Sequence, residues 1–375
     1  TTEYTEVVNP RKMPGARWFL GSKLNYAQCI LEGAKKDASQ AAIIHVKEGS
    51  EPRKIGWGDL RHKVAAFSSF LQSLGVGSGD RVAAYVSNTP EAVIGLLSAA
   101  SIGAIWSSCS PDFGVVSTVE RFGQIRPKVL IATDGYSYGG KQYDRRETLE
   151  RTVSSIASIE HVVMCTSSDH SGPTRLANAS VTQFEEALNT PDKTAYSQVE
   201  FNHPLWILYT SGTTGPPKPV VHSHGGIVLE HLKSLALHHD LKSPHTFFWF
   251  TTTGWMMWNL VVSGLLVGSS IVLYEGSPMY PKPDTLWSLA EDLHITHFGV
   301  SASYITQCMK RGLHPKELGL SNLIQVGSTG SPLSTEGFKW VYNEVKSDVW
   351  LVSERRHRRV LWFRRRVPSS SRLCR

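Results

Sequence analysis

The sequence predicts an α/β protein built on doubly wound parallel sheets. Three observations lead there. Helical and extended periodicities alternate along the first third of the chain, and glycine-rich turns separate them. The length of 375 residues, 41% hydrophobic and 19% charged, supplies enough apolar surface for more than one core.

Residues 60–74 place Val64, Phe67, Phe70, Leu71 and Leu74 at helical spacing. The turn Gly75-Val76-Gly77-Ser78-Gly79-Asp80 then leads into an extended run, Arg81 to Val86. Pro90 opens a second helix with apolar residues through Ala100, because a proline loses nothing at a first helical turn. A further strand is expected from Gly103-Ala104-Ile105-Trp106. Between Cys165 and Gln198 the composition turns to Ser, Thr, Asp, Asn and Pro, so a surface connection and a subdomain junction are expected near 165–200. No repeat of 20 to 50 residues is found.

Leu205-Trp206-Ile207-Leu208-Tyr209 reads as a strand, Thr210 to Lys218 as a loop, and Val228, Leu232 and Leu235 share one face of a following helix, giving the order strand, loop, helix. From Ser243 to Tyr274 there are 32 residues without Asp, Glu, Lys or Arg, long enough to span a bilayer. Thr251-Thr252-Thr253-Gly254, Asn259 and Gly268-Ser269-Ser270 interrupt the run, so a buried helix between two core strands is expected instead. Leu323-Ile324-Gln325-Val326 reads as a strand ending in a Gly330-Ser331-Pro332 turn.

The net charge is +7, but its basic excess is local. Removing the nine Arg and one Glu of residues 354–375 from 39 basic and 32 acidic residues leaves 30 against 31. The body therefore carries no field that would call for a nucleic acid or an acidic membrane. Cysteines at 29, 109, 165, 308 and 374 are odd in number and never form a C-x-x-C pair, which argues against a disulfide framework and a zinc site. The N-terminus shows no initiator Met and no signal segment, so a cytoplasmic protein is expected, with a start internal to its gene.

The chemistry is concentrated in Thr210-Ser211-Gly212-Thr213-Thr214-Gly215-Pro216-Pro217-Lys218. Glycines let backbone N–H groups approach an anion, hydroxyls add donors, and Lys218 adds a positive charge, the composition of a phosphate-holding loop. A Walker A loop is disfavoured, because Lys218 stands between Pro217 and Pro219 and no Ser or Thr follows it. The loop resembles the phosphate-loop signature of the adenylate-forming superfamily of acyl-CoA synthetases, except at Pro219, where most of the superfamily has Gly. Other segments resemble that family in order, from about residue 14 to 353: Gly15-Ala16-Arg17-Trp18-Phe19, Leu24-Asn25-Tyr26-Ala27 and the structural Gly79-Asp80-Arg81-Val82. Ile105 to Gly114, Thr251 to Asn259 and Ser328 to Leu333 resemble the branch that activates acetoacetate. The acetate-activating branch has a Trp-Val-Thr-Gly-His type run and Gly-Glu-Pro at the last two.

The resemblance implies an incomplete large N-terminal domain over residues 1–353. It implies ATP, Mg²⁺ and coenzyme A as participants and acetoacetate as the small-molecule substrate, an entry into ketone-body and lipid metabolism. It also implies catalytic Lys218, nucleotide contacts from Thr210 to Gly215 and Lys218, and an adenine contact at Gly330, Ser331 and Pro332. Trp255, Met256, Met257 and Trp258 are candidates for an acyl pocket, against which stands the ordinary use of Met and aromatic clusters as core. His222 and His224 read as polar residues at a helix entry rather than as bases. No metal ligand is read in the chain, since the family's acidic ligand follows the position of Ser353, as do the ribose-binding Asp and the mobile domain with its adenylation Lys. Residues 1–353 use 18 Lys and 12 Arg, and the next 22 use nine Arg and no Lys. An aberrant, out-of-frame or read-through tail is therefore expected over 354–375, on a chain that forms no thioester by itself.

Overall fold

The computed structural model describes residues 2–11, 15–33, 36–166, 176, 179–191, 195–210 and 215–354. Two seven-stranded sheets organise it. The first runs, in spatial order, Ser180–Gln183, His161–Cys165, Val129–Thr133, Arg81–Tyr85, Ile105–Cys109, Pro204–Thr210 and Lys218–Ser223. Its neighbours are parallel except for the last pair. The second runs Trp350–Ser353, Gln325–Thr329, His297–Ser301, Thr246–Trp249, Ser270–Glu275, Ala41–Lys47 and Arg53–Gly56, again antiparallel only at the final pair.

Strand residues alternate between two buried environments, because both faces of a parallel sheet are covered. Val82 and Ala84 join a central cluster, while Ala83 and Tyr85 join an outer one. In the second sheet Phe247, Trp249, Ile271 and Leu273 face the same central cluster, and Phe248, Val272 and Tyr274 face a third. One helical layer thus serves both sheets, with an outer helical layer on each. Helices Trp57–Ser73, Pro90–Ser101 and Met256–Ser263 lie in the shared layer. In Pro90–Ser101 every residue except Glu91 is buried. Its Gly95 lets the helix close on the first sheet, since a Cβ there would stand 2.6 Å from Ile131 Cδ1.

The expected helices and strands of the first third are present, as is the buried helix inside 243–274. Among the described residues, no helix is long and apolar enough to cross a membrane. The change of sheet falls elsewhere than the expected junction. The described part of 165–200 supplies the edge strand Ser180–Gln183 and the short helix Phe184–Ala187, whereas the chain passes between sheets twice, through Trp57–Ser73 and through His224–Leu232 with Lys233–His238. The strand expected at 323–326 begins at Gln325 and runs to Thr329.

Trp249 crosses its neighbours in the second sheet. It pairs with Gly299, which pairs with Gly327 on the next strand. A Cβ at Gly299 would lie 2.0 Å from Trp249 Cδ2, and one at Gly327 would lie 2.5 Å from Trp249 Cη2. The indole therefore fills the space two side chains would need. Gly299→Ala is expected to lower the free energy of unfolding by about 1–3 kcal/mol through overpacking. Gly123→Ala, in the exposed face of helix Val115–Ile125 with nothing within 4 Å of the added carbon, is expected to raise it by about 0.5–1 kcal/mol. Urea unfolding curves of the two variants check both signs.

Candidate functional site

The strand Pro204–Thr210 turns back into an antiparallel strand, Lys218–Ser223, and Thr210 pairs with Lys218 at the mouth of the connection. The expected order of strand, loop, helix is corrected to strand, loop, strand, helix, since helix His224–Leu232 starts only after that second strand. The β-branched Val220 and Val221 favour the added strand, and its place at the sheet edge tolerates Pro219, which has no N–H to give. The phosphate-type loop is thus a hairpin tip and not a helix N-terminus. Ser211, Gly212, Thr213 and Thr214 lie outside the described residues. Gly215 has φ of 149°, a conformation few other residues adopt, and Lys218 is exposed. Helix Val115–Ile125 anchors both limbs: Tyr209 Oη donates to Arg121 O at 2.7 Å, and Gln124 Nε2 donates to Pro217 O at 2.9 Å.

In the second sheet Gly330 follows directly on the strand Gln325–Thr329 with φ of 90°, and Ser331 and Pro332 after it are exposed. Thr210 and Gly330 therefore both stand at carboxyl ends of strands, where open parallel sheets place their ligands. Other strand ends of the two sheets meet at a cavity of ≈ 340 Å³, which neither Thr210, Gly215 and Lys218 nor Gly330, Ser331 and Pro332 line. Ser87, Asn88, Ser110 and Asp112 line it from the first sheet, and Phe250, Thr251, Thr252 and Gly276 from the second.

Two stretches singled out in the sequence meet under this cavity. Ser108 Oγ donates to Thr253 O at 2.8 Å, and Thr253 Oγ1 donates to Val86 O at 2.6 Å. A Cβ on Gly254 would lie 3.2 Å from Phe113 Cζ, so the two segments touch directly. Tyr85 Oη donates to Pro111 O and Phe113 O at 2.6 and 2.7 Å, holding the Ser110 to Gly114 turn, and burial pushes its own pKa up. The Trp and Met run behaves as core. Met257 and Trp258 are fully buried, Met256 nearly so, Trp106 and Trp258 stack, and Trp258 Nε1 donates to Asn88 Oδ1 at 3.0 Å. Of those four only Trp255 is partly open, so the expected pocket wall is taken over by Phe250, Thr251 and Thr252, with Trp258 supporting it from behind through Asn88.

A family pattern described as AMP-binding enzyme matches residues 31–351. The chain belongs to that family. It is 39% identical over 360 residues to an acetoacetyl-CoA synthetase of Gallus gallus, covering 93% of this chain and 54% of that protein. It is 41% identical over 350 residues to an acetoacetyl-coenzyme A synthetase of Rhizobium meliloti, covering 92% and 53%. The solved acetoacetyl-CoA synthetase from Streptomyces lividans superimposes with a TM-score of 0.90 at 44% identity, over 95% of this chain and 55% of that one. The chain spans about half the length of the curated relatives it matches. The α/β fold of two parallel-dominated sheets is that of the large domain of adenylate-forming enzymes.

Within this AMP-binding chain the sequence missed the hairpin Gly135–Tyr138 and Lys141–Asp144, which brings Tyr136, Tyr138 and Tyr143 to the cavity. The Tyr136 and Tyr143 rings stack 5.0 Å apart, and the Arg145 guanidinium sits 5.2 Å over Tyr136 while its Nη2 donates to Tyr136 Oη at 2.9 Å. Gly139-Gly140 between two short runs was a readable signal for such a hairpin.

Glu354, expected in the aberrant tail, instead continues the second sheet. Its N–H donates to Ser328 O at 2.8 Å, and its carboxylate lies fully buried 2.9 Å from His239 Nε2. The other residues of that tail lie outside the described ones. Among the described residues there is no group of three or more His, Cys, Asp or Glu that could hold a metal ion. His222 lies in the strand Lys218–Ser223, and His224 is buried at the start of the following helix. Trp206 Nε1 donates to His222 Nδ1 at 2.9 Å, and His224 Nδ1 accepts from Tyr26 N at 3.1 Å.

Burial, with His203 nearby, pushes His224 down to about 3, and burial also pushes His297 down to about 3. The unfolded chain would protonate both near 6.5. A depressed folded-state pKa means that the associated stability is complete above pH 6.5 and is lost as pH falls toward 3. Within that window each neutral histidine removes about 1.4 kcal/mol per pH unit. Urea unfolding measured from pH 7 to pH 4 is expected to show this fall, and His224→Gln to reduce its slope by about one proton.

Proposed function

We propose that the chain is the nucleotide-binding and substrate-binding part of an acid–thiol ligase that joins acetoacetate to coenzyme A at the expense of ATP. The carrying observation is that the Ile105 to Gly114 and Thr251 to Asn259 stretches, which resemble the acetoacetate branch, touch at the floor of the crevice between the sheets. The identity of 39% and 41% to acetoacetyl-CoA synthetases supports the same substrate.

In the proposed reaction a carboxylate oxygen of acetoacetate attacks the α-phosphorus of ATP, and the bond to pyrophosphate breaks. The thiol of coenzyme A then adds at the acyl carbon, and AMP leaves with the bonding pair. Anions must be brought together in the first step, so donors and positive charge at the phosphates govern it. Lys218 at the hairpin tip supplies the charge, Thr210 and Gly215 frame the loop, and Gly330 to Pro332 offer a flat backbone edge to the adenine. Mg²⁺ bound to the phosphates would offset further negative charge.

The tyrosine-lined cavity suits the coenzyme A nucleotide. Tyr136, Tyr138 and Tyr143 give its wall an aromatic surface suited to a flat base, and Arg145, packed against Tyr136, adds positive charge behind that wall. The reading involves no nucleic-acid or membrane partner. A cytoplasmic setting is supported by Cys29, Cys109, Cys165 and Cys308, none of which is in a disulfide.

Isotope exchange between ATP and pyrophosphate, measured on the whole protein, tests the substrate. Stimulation by acetoacetate well above that by acetate is expected, and equal or greater stimulation by acetate would sink the reading. In the 375-residue chain, Lys218→Ala is expected to weaken ATP binding by about tenfold, the loss of one charge-assisted contact, as read by calorimetric titration.

A further inference from the structure

Glu48 follows the strand Ala41–Lys47 at its carboxyl end and does not itself line the cavity. Its carboxylate is nevertheless enclosed by backbone. Oε2 accepts from Gly139 N at 2.9 Å and from Ser277 N at 2.8 Å, and Oε1 accepts from Gly140 N at 2.5 Å. Its own N–H donates to Glu275 O at 2.8 Å. Three main-chain donors converging on one carboxylate form the same concavity that proteins use for bound anions.

The surrounding chain is shaped to this carboxylate. Gly139 and Gly140, with φ of 61° and 76°, make the two-residue tip of the tyrosine hairpin, a turn that needs positive φ at both positions. A Cβ on Gly276 would stand 2.6 Å from Glu48 Cβ, and one on Gly140 would stand 2.6 Å from Tyr280 Oη. The glycines at 140 and 276 thus leave the space that Tyr280 and Glu48 occupy.

The three segments come from both sides of the cavity. The hairpin follows Val129–Thr133 of the first sheet, while Glu48 and Ser277 follow strands of the second. Tyr136, Tyr138 and Tyr143 line one wall, and Phe250, Tyr274 and Gly276 the other. The carboxylate is the tie across the rim. Without it the buried Ser277 N–H and the N–H groups of Gly139 and Gly140 at the hairpin tip lose their common acceptor, and with it the link between the hairpin and the opposite wall.

We propose that Glu48 is a positioning residue that holds the tyrosine hairpin at the separation needed to clasp the nucleotide of coenzyme A. This rests on the reading of the cavity as the coenzyme A site. Because the adenine contact for ATP is placed at Gly330 to Pro332, the role is confined to one of the two nucleotides.

The test titrates coenzyme A and ATP separately, by calorimetry, into the full chain and into Glu48→Ala and Glu48→Gln, and follows amide hydrogen exchange across residues 135–144 and at Ser277. Glu48→Ala is expected to weaken coenzyme A binding by about tenfold, about 1.4 kcal/mol, with ATP affinity within about twofold of the parent and with faster exchange in the hairpin. Glu48→Gln retains one carbonyl acceptor and is expected to fall between, which also provides a reading if the alanine variant does not fold. Unchanged coenzyme A affinity in both variants would overturn the role. A parallel loss of both nucleotides would also overturn it, since that is the mark of a general structural defect. Failure of the parent chain to bind coenzyme A would instead remove the reading of the cavity, and this role with it.

Discussion

Two parallel sheets share one layer of helices, and that single constraint sets most of what the chain can be. A strand in such a sheet must be apolar on both faces, and a helix in the shared layer has almost no solvent side. Pro90–Ser101 shows the extreme, with Glu91 alone escaping burial. The constraint also fixes where chemistry can occur. With the interior filled, polar groups gather beyond the strand ends, and because one layer aligns both sheets, the ends of 81–85, 105–109, 246–249 and 270–275 face the same crevice.

How much of this was legible varied with the kind of signal. Residues 60–109 carry strong periodicity and glycine-marked turns, and their helices and strands were read in type and order, with bounds off by up to three residues. The phosphate-type loop was legible as chemistry but not as geometry. Val220 and Val221 are too few to announce a strand, and a proline beside the lysine obscured it, so the helix was joined to the loop one element too soon. Met256 and Met257 could be read either as a pocket wall or as core, because the same apolar character fits both, and both side chains are buried in the shared layer.

Contacts between distant segments were beyond the reach of sequence periodicity. Nothing local to Glu48 indicates that its carboxylate meets Gly139, 91 positions later, or Ser277, 229 positions later. Glu354 carries a similar lesson. It stands at an abrupt change in composition and was grouped with the arginines after it. Its backbone, however, pairs with the neighbouring strand and its side chain enters the core against His239. A compositional boundary and a packing boundary need not coincide, because the first is set by codons and the second by whichever atoms find partners.

Trp249 and the two glycines beside it also bear on how such a protein can change over time. One indole lies across three adjacent strands, so the acceptable residues at 249, 299 and 327 are a single joint choice. A small residue at 249 leaves a void, and a larger one at either glycine collides, so each first step away from the present trio is unfavourable. The trio also acts as a vernier. Sliding either neighbouring strand by one residue would put a side chain where the ring lies, which discriminates against misaligned pairings before the rest of the sheet assembles. A lineage carrying this arrangement inherits the alignment of three strands as one locked unit.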